Sequence, residues 1–117
     1  MERELNGEHT LLRIFVGESD KVGHKSLYWT ILEKAREARL AGCTVIRGIA
    51  GFGASSIIHQ AKGFRLSSDL PIVIEIVDTN EHVKKFLSEI QPMLQGALVT
   101  EEKVFVHHYK KAEREKK

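Results

Sequence analysis

The sequence predicts an α+β fold in which a four-stranded antiparallel sheet carries two helices on one face. Three observations support this: short β-branched runs bounded by glycine or proline, two segments with a 3.6-residue apolar period, and their alternation in the order β-α-β-β-α-β. Right-handed crossovers convert that order into the strand order 4-1-3-2, with strands numbered along the chain. We therefore expect one ferredoxin-like domain formed by all 117 residues.

The four predicted strands are apolar runs of ordinary strand length. The third starts near Pro71, where a missing N–H costs little, and the fourth is split by the polar stretch Thr100–Lys103. Residues Met1–His9 are polar, so we expect a frayed lead-in. The predicted strands are Thr10–Val16, Thr44–Ala50, Leu70–Val77 and a strand within Ala97–Tyr109.

Two segments have the apolar spacing of amphipathic helices. The first is predicted over Ser26–Ala41, with Ser26 as its N-cap and Gly42 as a left-handed C-terminal cap. The second is predicted over Asn80–Gln91, and the stretch Asp78–Glu81 has the composition of a helix start.

A long loop separates the second and third strands. It spans Gly51–Asp69, and loops longer than about 12–15 residues within compact domains are usually functional or disordered. At its base, Gly51 and Gly53 flank the exposed aromatic Phe52, and glycines allow positive φ and close approach to a ligand. Ser55–Lys62 is predicted as a short helix that orders against a partner. We expect the function to depend on this loop.

The second face of the predicted sheet is too apolar to be left in water. Each large apolar side chain left exposed there forgoes about 1.5–3 kcal/mol of the free energy that burial would provide. Packing between subunits is the simplest way to bury this face. Arg13 and Glu75 fall on adjacent antiparallel strands of this face and are predicted to pair. The apolar residues on this face of strands 1 and 3 are Leu11, Phe15, Val73 and Val77.

Composition excludes several classes of protein. A net charge of +2 is too small to indicate nucleic-acid binding. The single cysteine, Cys43, permits no internal disulfide and is typical of the reducing cytoplasm. The charged start has no signal-peptide apolar segment, no apolar run approaches the ~18 residues of a membrane span, and the charged tail at 110–117 is expected to be solvated.

Three motif-based alternatives are weaker. The six histidines lack metal-ligand spacing, and His107 and His108 point to opposite faces of a strand. Gly48 to Gly53 has the spacing of a phosphate-binding loop, but the lysine that such a loop needs is absent. An RNA-recognition motif shares the element order but requires further aromatic residues after the Gly-Phe-Gly turn.

Several stretches resemble the PII-like signalling proteins, relatives of the nitrogen-regulatory PII family. Gly42–Val45 leading to Gly51–Gly53 is similar to the second strand of PII and its Gly-Phe-Gly turn. Ile74–Val77 is similar to the core of the third PII strand, and Lys103–Val106 to the start of the last one. Thr100–Glu102 departs from the pattern, since carboxylates replace glycines before the lysine. The resemblance covers nearly the whole chain and is closest to the branch called domain of unknown function 190.

This resemblance implies a homotrimer with inward-facing sheets and an adenine nucleotide, or a similar anionic effector, bound between subunits. It implies regulation of a protein partner, such as a membrane transporter or an enzyme, by loop movement. We expect neither catalysis nor a resident metal. The cleft residues that it implies are Thr44, Gly51, Phe52, Gly53, Glu75, Val77 and Lys103.

Other functions remain open on the sequence. One is a small trimeric metal-tolerance-type protein or enzyme on the same fold, and another is an adaptor without a small-molecule ligand. Gly51–Gly53 also fits a simple strand terminus, and Lys103 fits a solvated lysine.

Overall fold

The computed structural model describes residues 3–62 and 69–112, which form one four-stranded antiparallel sheet with two helices. The sheet order is β2-β3-β1-β4, which confirms the predicted order. A 3₁₀ turn, Gln91–Met93, follows the second helix. The main elements are β1 (Leu5–Gly17), α1 (Leu27–Glu37), β2 (Thr44–Arg47), β3 (Pro71–Asp78), α2 (Asn80–Ile90) and β4 (Leu98–Tyr109).

The core lies between the helices and one face of the sheet. Alternate residues of the two central strands point into it, as the period of a half-buried strand predicts. Leu12 and Ile14 of β1 and Ile74 of β3 have no exposed surface. The helices complete this core with Leu27, Ile31, Ala35, Val83, Phe86 and Ile90.

The strands differ from the predicted bounds at their ends. β1 begins at Leu5, so most of the expected lead-in is paired with β4 rather than frayed. β4 runs unbroken through Thr100–Lys103, because an edge strand can hold polar side chains in water while its backbone pairs on one side. β2 ends at Arg47, and the next amide, of Gly48, donates to the carbonyl of Pro71 at 2.7 Å.

The start of α2 was predicted correctly, whereas both predicted caps of α1 are wrong. The Thr79 hydroxyl caps α2 by accepting the His82 N–H at 3.1 Å. The Ser26 side chain caps nothing, and only its carbonyl accepts a bond, from the hydroxyl of Thr30. α1 ends at Glu37, and the left-handed residue after it is Arg39, with φ of 60°, rather than Gly42.

The predicted helix Ser55–Lys62 is wrong. His59–Gln60 is extended and pairs with Ala50–Gly51, because eight residues with few apolar side chains cannot sustain a helix while a free backbone edge lies nearby. This small hairpin forms the base of the long loop. Residues 63–68 of the predicted loop lie outside the described residues.

Candidate functional site

A pocket of about 340 Å³ lies on the sheet face opposite the helices, which we call the open face. Three of the predicted site residues, Thr44, Glu75 and Val77, line it together. Thr44 and Glu75 are direct cross-strand partners on β2 and β3, so their side chains must share one face. The remaining lining residues are Leu5, Leu11, Ala41, Gly42, Cys43, Val106, His108 and Tyr109.

A charged cluster lies beside this pocket. Arg13 donates from Nε to Glu75 Oε2 at 2.9 Å and from Nη1 to Glu102 Oε1 at 2.8 Å. The hydrogen bond to Glu75 is the main reason that the pKa of Arg13 is raised above its usual value. The predicted Arg13–Glu75 pair is thus confirmed, and Glu75 keeps a second carboxylate oxygen for other donors.

Cys43, one of the pocket-lining residues, is a half-buried free thiol. Burial raises the pKa of the Cys43 thiol to about 11, so the thiol is protonated at neutral pH. A protonated thiol is a poor nucleophile and a poor metal ligand. Cys43 packs against the hydrophobic core and contributes apolar surface where it lines the pocket.

Lys103 lies elsewhere on the same subunit. It pairs with Thr10 on the neighbouring strand and lines a separate recess of about 490 Å³, where its Nζ is 3.6 Å from Glu8 Oε1. Successive strand residues alternate between faces, and Thr10 shares the core-facing side with Leu12. One subunit alone therefore does not bring Lys103 to Thr44, Glu75 and Val77.

The predicted glycine turn lies at the base of the loop but has a different conformation from that expected. Neither Gly51 nor Gly53 has positive φ, so the expected reason for glycine was wrong. Pro71 leaves little room for a side chain at position 51, because a Cβ at Gly51 would lie 3.1 Å from Pro71 Cγ. A Cβ at Gly53 would meet nothing within 4 Å, and Phe52 is 69% exposed.

Sequence reasoning missed a buried carboxylate at the end of β3. Asp78 is fully buried and accepts two bonds from Arg3 at 2.6 Å, one from the Ala41 N–H at 2.8 Å and one from the Thr79 N–H at 2.7 Å. Burial raises the pKa of Asp78, but these hydrogen bonds lower it more, so the net shift is downward. The alternation of β3 already placed Asp78 on the core side, a signal that was available in the sequence.

Asp78, Thr79 and His82 do not form a nucleophilic triad. The Thr79 hydroxyl lies 2.6 Å from His82 Nδ1, and Asp78 Oδ1 lies 3.3 Å from that same nitrogen. A triad needs the carboxylate and the nucleophile on different ring nitrogens. The cluster therefore serves the N-terminus of α2.

Within residues 3–62 and 69–112, there is no group of three or more His, Cys, Asp or Glu side chains that could hold a metal ion. No helix in the described part of the chain has the length and apolar character needed to cross a bilayer.

Comparison with known proteins identifies the family. The sequence profile of DUF190, described as an uncharacterised ACR, matches residues 9–106. The chain belongs to the DUF190 family. A UPF0166 protein of Aquifex aeolicus is 44% identical to this DUF190 protein over 92 residues, covering 79% of this chain and 88% of the relative. A UPF0166 protein of Methanocaldococcus jannaschii is 31% identical over 86 residues, covering 74% and 79%.

Solved structures show the same fold at low sequence identity. CPII of Thiomonas intermedia, a nitrogen regulatory PII-like protein bound to ADP, AMP and bicarbonate, superposes on the DUF190 chain with a TM-score of 0.62 and 17% identity. That match covers 89% of this chain and 91% of CPII. A protein of Thermus thermophilus described as PII-like signalling gives a TM-score of 0.62 at 17% identity, covering 86% and 91%. The DUF190 chain thus has the PII-like form of the ferredoxin-like fold.

Proposed function

We propose that this DUF190 protein is a non-enzymatic, homotrimeric regulator that binds an adenine nucleotide, or a similar anionic effector, between subunits. The proposal rests on one observation: the residues predicted to bind a single ligand lie on two different surfaces of the subunit. Thr44, Glu75 and Val77 line the open-face pocket, whereas Lys103 lies outside it on β4. A ligand touched by all four residues needs a second copy of the chain.

The sheet order supports this arrangement. β2 and β4 are the two edge strands, so a closed ring of subunits with open faces inward brings the β4 edge of one copy beside the β2 edge of the next. Thr44 on β2 then lies near a neighbour's Lys103 on β4. The same ring covers open-face side chains such as Ile46 and Leu98, which are 45% and 59% exposed in one subunit.

The chemistry of the pocket suits a nucleoside with an anionic end. Its lining is mainly apolar, with Glu75 and Thr44 as polar groups able to orient a base. Lys103 supplies a positive point charge for phosphate, and backbone amides near Gly51 and Gly53 supply neutral donors. Glu101, which lines the same recess as Lys103, repels added phosphates, so the site favours ADP or AMP over ATP. CPII, which shares the fold, is bound to ADP and AMP.

The long loop is the part proposed to contact a partner protein. Its described residues expose large apolar side chains around the small hairpin, which is unusual unless they meet another surface. These side chains are Phe52, Ile57 and Ile58. A membrane transporter or an enzyme is the proposed kind of partner, and a cytoplasmic location remains a prediction.

Calorimetric titration with ADP, AMP, ATP and cyclic nucleotides tests the proposal, together with molar mass by light scattering. We expect a trimer and binding that is weakened about tenfold in Lys103→Ala, since the variant loses a charge-assisted contact. Lys110→Ala is the matched control, because Lys110, directly after β4, likewise pairs with a glutamate, Glu4, at 3.5 Å. A monomer, or a wild-type trimer that binds none of these nucleotides, would contradict the proposal.

A further inference from the structure

A row of directly paired residues crosses the open face beside its pocket. Thr44 of β2 pairs with Glu75 of β3, and Glu75 pairs with Arg13 of β1. Direct partners on antiparallel strands have their side chains on one face and within reach of each other. Glu75 therefore lies between the pocket, which it lines, and Arg13, which is not among the described residues that line it.

Arg13 holds the Glu75 carboxylate through one of its two oxygens. Arg13 Nε donates to Glu75 Oε2 at 2.9 Å, and Arg13 Nη1 donates to Glu102 Oε1 at 2.8 Å. Both hydrogen bonds join charged groups, and such bonds are roughly twice as strong as those between neutral groups. Because the planar guanidinium is fixed between two carboxylates, it restricts the rotation of the Glu75 side chain.

The second oxygen of this carboxylate is available to a ligand. Among the described residues no group donates a hydrogen bond to Glu75 Oε1, and the Glu75 side chain is 31% exposed. A carboxylate with both oxygens unoccupied accepts two parallel N–H donors, as it does from the fork of a guanidinium. With Oε2 bonded to Arg13, Glu75 presents one unoccupied oxygen instead of two.

The number of unoccupied oxygens distinguishes the two common purine bases. Guanine carries its N1–H and its N2 amino group side by side, and this pair of donors matches a carboxylate with both oxygens available. Adenine has a single donor group on the same edge, the N6 amino group, which needs one acceptor. Glu75 held by Arg13 therefore suits adenine and leaves one guanine donor without a partner, which costs affinity in a desolvated site.

We propose that Arg13 is the positioning residue of the open-face pocket and sets its preference for adenine over guanine. It does so by holding Oε2 of Glu75 and leaving Oε1 as a single acceptor for the base. Arg13 acts through Glu75 and not by touching the ligand. This selection rests on the proposed function, under which a nucleotide base enters the pocket.

The ratio of the Kd for GMP to the Kd for AMP, measured by calorimetric titration, reports the selection. It should be about tenfold in wild type and close to one in Arg13→Met, a change equal to one hydrogen bond to a charged group. Arg47→Met is the matched control, because it also removes an arginine–glutamate pair, with Glu18 at 3.0 Å, but off the open face. Both nucleotides are titrated on the same sample, so a change in assembly affects both Kd values alike.

A double variant tests whether Arg13 acts through Glu75. Glu75→Gln has a single side-chain oxygen whether or not the arginine is present. In that background Arg13→Met should therefore change the Kd ratio by less than about twofold. A ratio that Arg13→Met leaves unchanged in the wild-type background, or changes equally in both backgrounds, overturns the positioning role.

A measurement without ligand separates this role from the proposed function. NMR relaxation of protein with isotope-labelled glutamate should show a more mobile Glu75 side chain in Arg13→Met than in wild type, with exposed Glu81 of α2 as the unchanged reference. Equal mobility of Glu75 in the two proteins refutes the positioning role. If wild type binds neither AMP nor GMP, the proposed function fails, whereas the mobility of Glu75 still decides whether Arg13 positions it.

Discussion

Arg13 and Glu75 face each other across the two central strands, with Arg13 Nε 2.9 Å from Glu75 Oε2. Arg13 also binds Glu102 on β4, so one guanidinium holds two carboxylates on the open face. This cluster lies among apolar side chains that include Phe15 and Val73 on the same face. A charged cluster in such a surface is expected to influence assembly more than the fold of one subunit.

Arg13→Ala should therefore weaken the assembly of subunits. Without the cation, Glu75 and Glu102 repel each other on a face that the proposed trimer covers. Light scattering over a dilution series should show dissociation at higher protein concentration than in wild type. The control is Arg47→Ala, which removes an ion pair with Glu18 of 3.0 Å that lies off the open face. Equal masses for the two variants at every concentration would contradict a role of Arg13 in assembly.

Because of Asp78, the free energy of unfolding should decrease at acidic pH. The pKa of folded Asp78 lies below that of an unfolded aspartate, about 3.9, so its contribution is complete above that value. The contribution is lost as pH falls through the lower, folded pKa. Urea unfolding at pH 7, 5, 4 and 3 should show this decline.

The Asp78→Asn variant provides the comparison. It should lose about 2–3 kcal/mol of unfolding free energy at pH 7, because Arg3 and two amides lose a charged acceptor. Its stability should also depend less on acid than that of wild type. Glu101→Gln, the same change of charge at an exposed position, should retain the wild-type dependence. An Asp78→Asn curve parallel to wild type would refute the role of this carboxylate.

The two helix starts differ in a measurable way. Thr79→Ala should lower the unfolding free energy by about 1 kcal/mol, since its hydroxyl caps α2 through the His82 N–H. Ser26→Ala should change it by less than about 0.5 kcal/mol, because the Ser26 side chain caps nothing. Thermal or urea unfolding of the two variants, side by side, checks this. The reverse order would mean that α1 carries the functional cap.

Gly48 and Gly53, at the base of the long loop, should differ in how well they tolerate substitution by alanine. A Cβ at Gly48 would lie 2.8 Å from Pro71 Cγ, so Gly48→Ala should cost about 1–3 kcal/mol through overpacking. Gly53→Ala meets open space and should stay within about 0.5 kcal/mol of wild type. If Gly53→Ala nevertheless weakens nucleotide binding at unchanged stability, the close approach of a ligand at Gly53 is supported. Equal stability losses at both glycines would contradict the packing argument.

Much of this fold could be predicted because the signals are local. The period of two in β1 and β3 separates Leu12 and Ile14 from Arg13, and the same period predicted the Arg13–Glu75 pair. Apolar spacing likewise predicted α2 almost to the residue. Element order then sufficed for the sheet, since right-handed crossovers leave few alternatives.

The remainder depends on contacts between distant residues. Leu5–His9 reads as a polar lead-in, and only pairing with β4 makes it a strand. The pocket wall at Ala41 is held by Asp78 and Tyr109, and no local pattern links these three positions. The Ser55–Lys62 error has the same origin, because the pairing partner of His59–Gln60 lies before the turn.

The pairing of β1 with β4 also bears on how the chain acquires its structure. Asn6 and His107 meet although they are 101 positions apart, so β1, one of the two central strands, receives its second neighbour only after the other main elements have been synthesised. Such non-local closure slows folding and leaves an apolar edge bare during translation. A nascent chain stalled before β4 would therefore be prone to aggregate and would depend on chaperones.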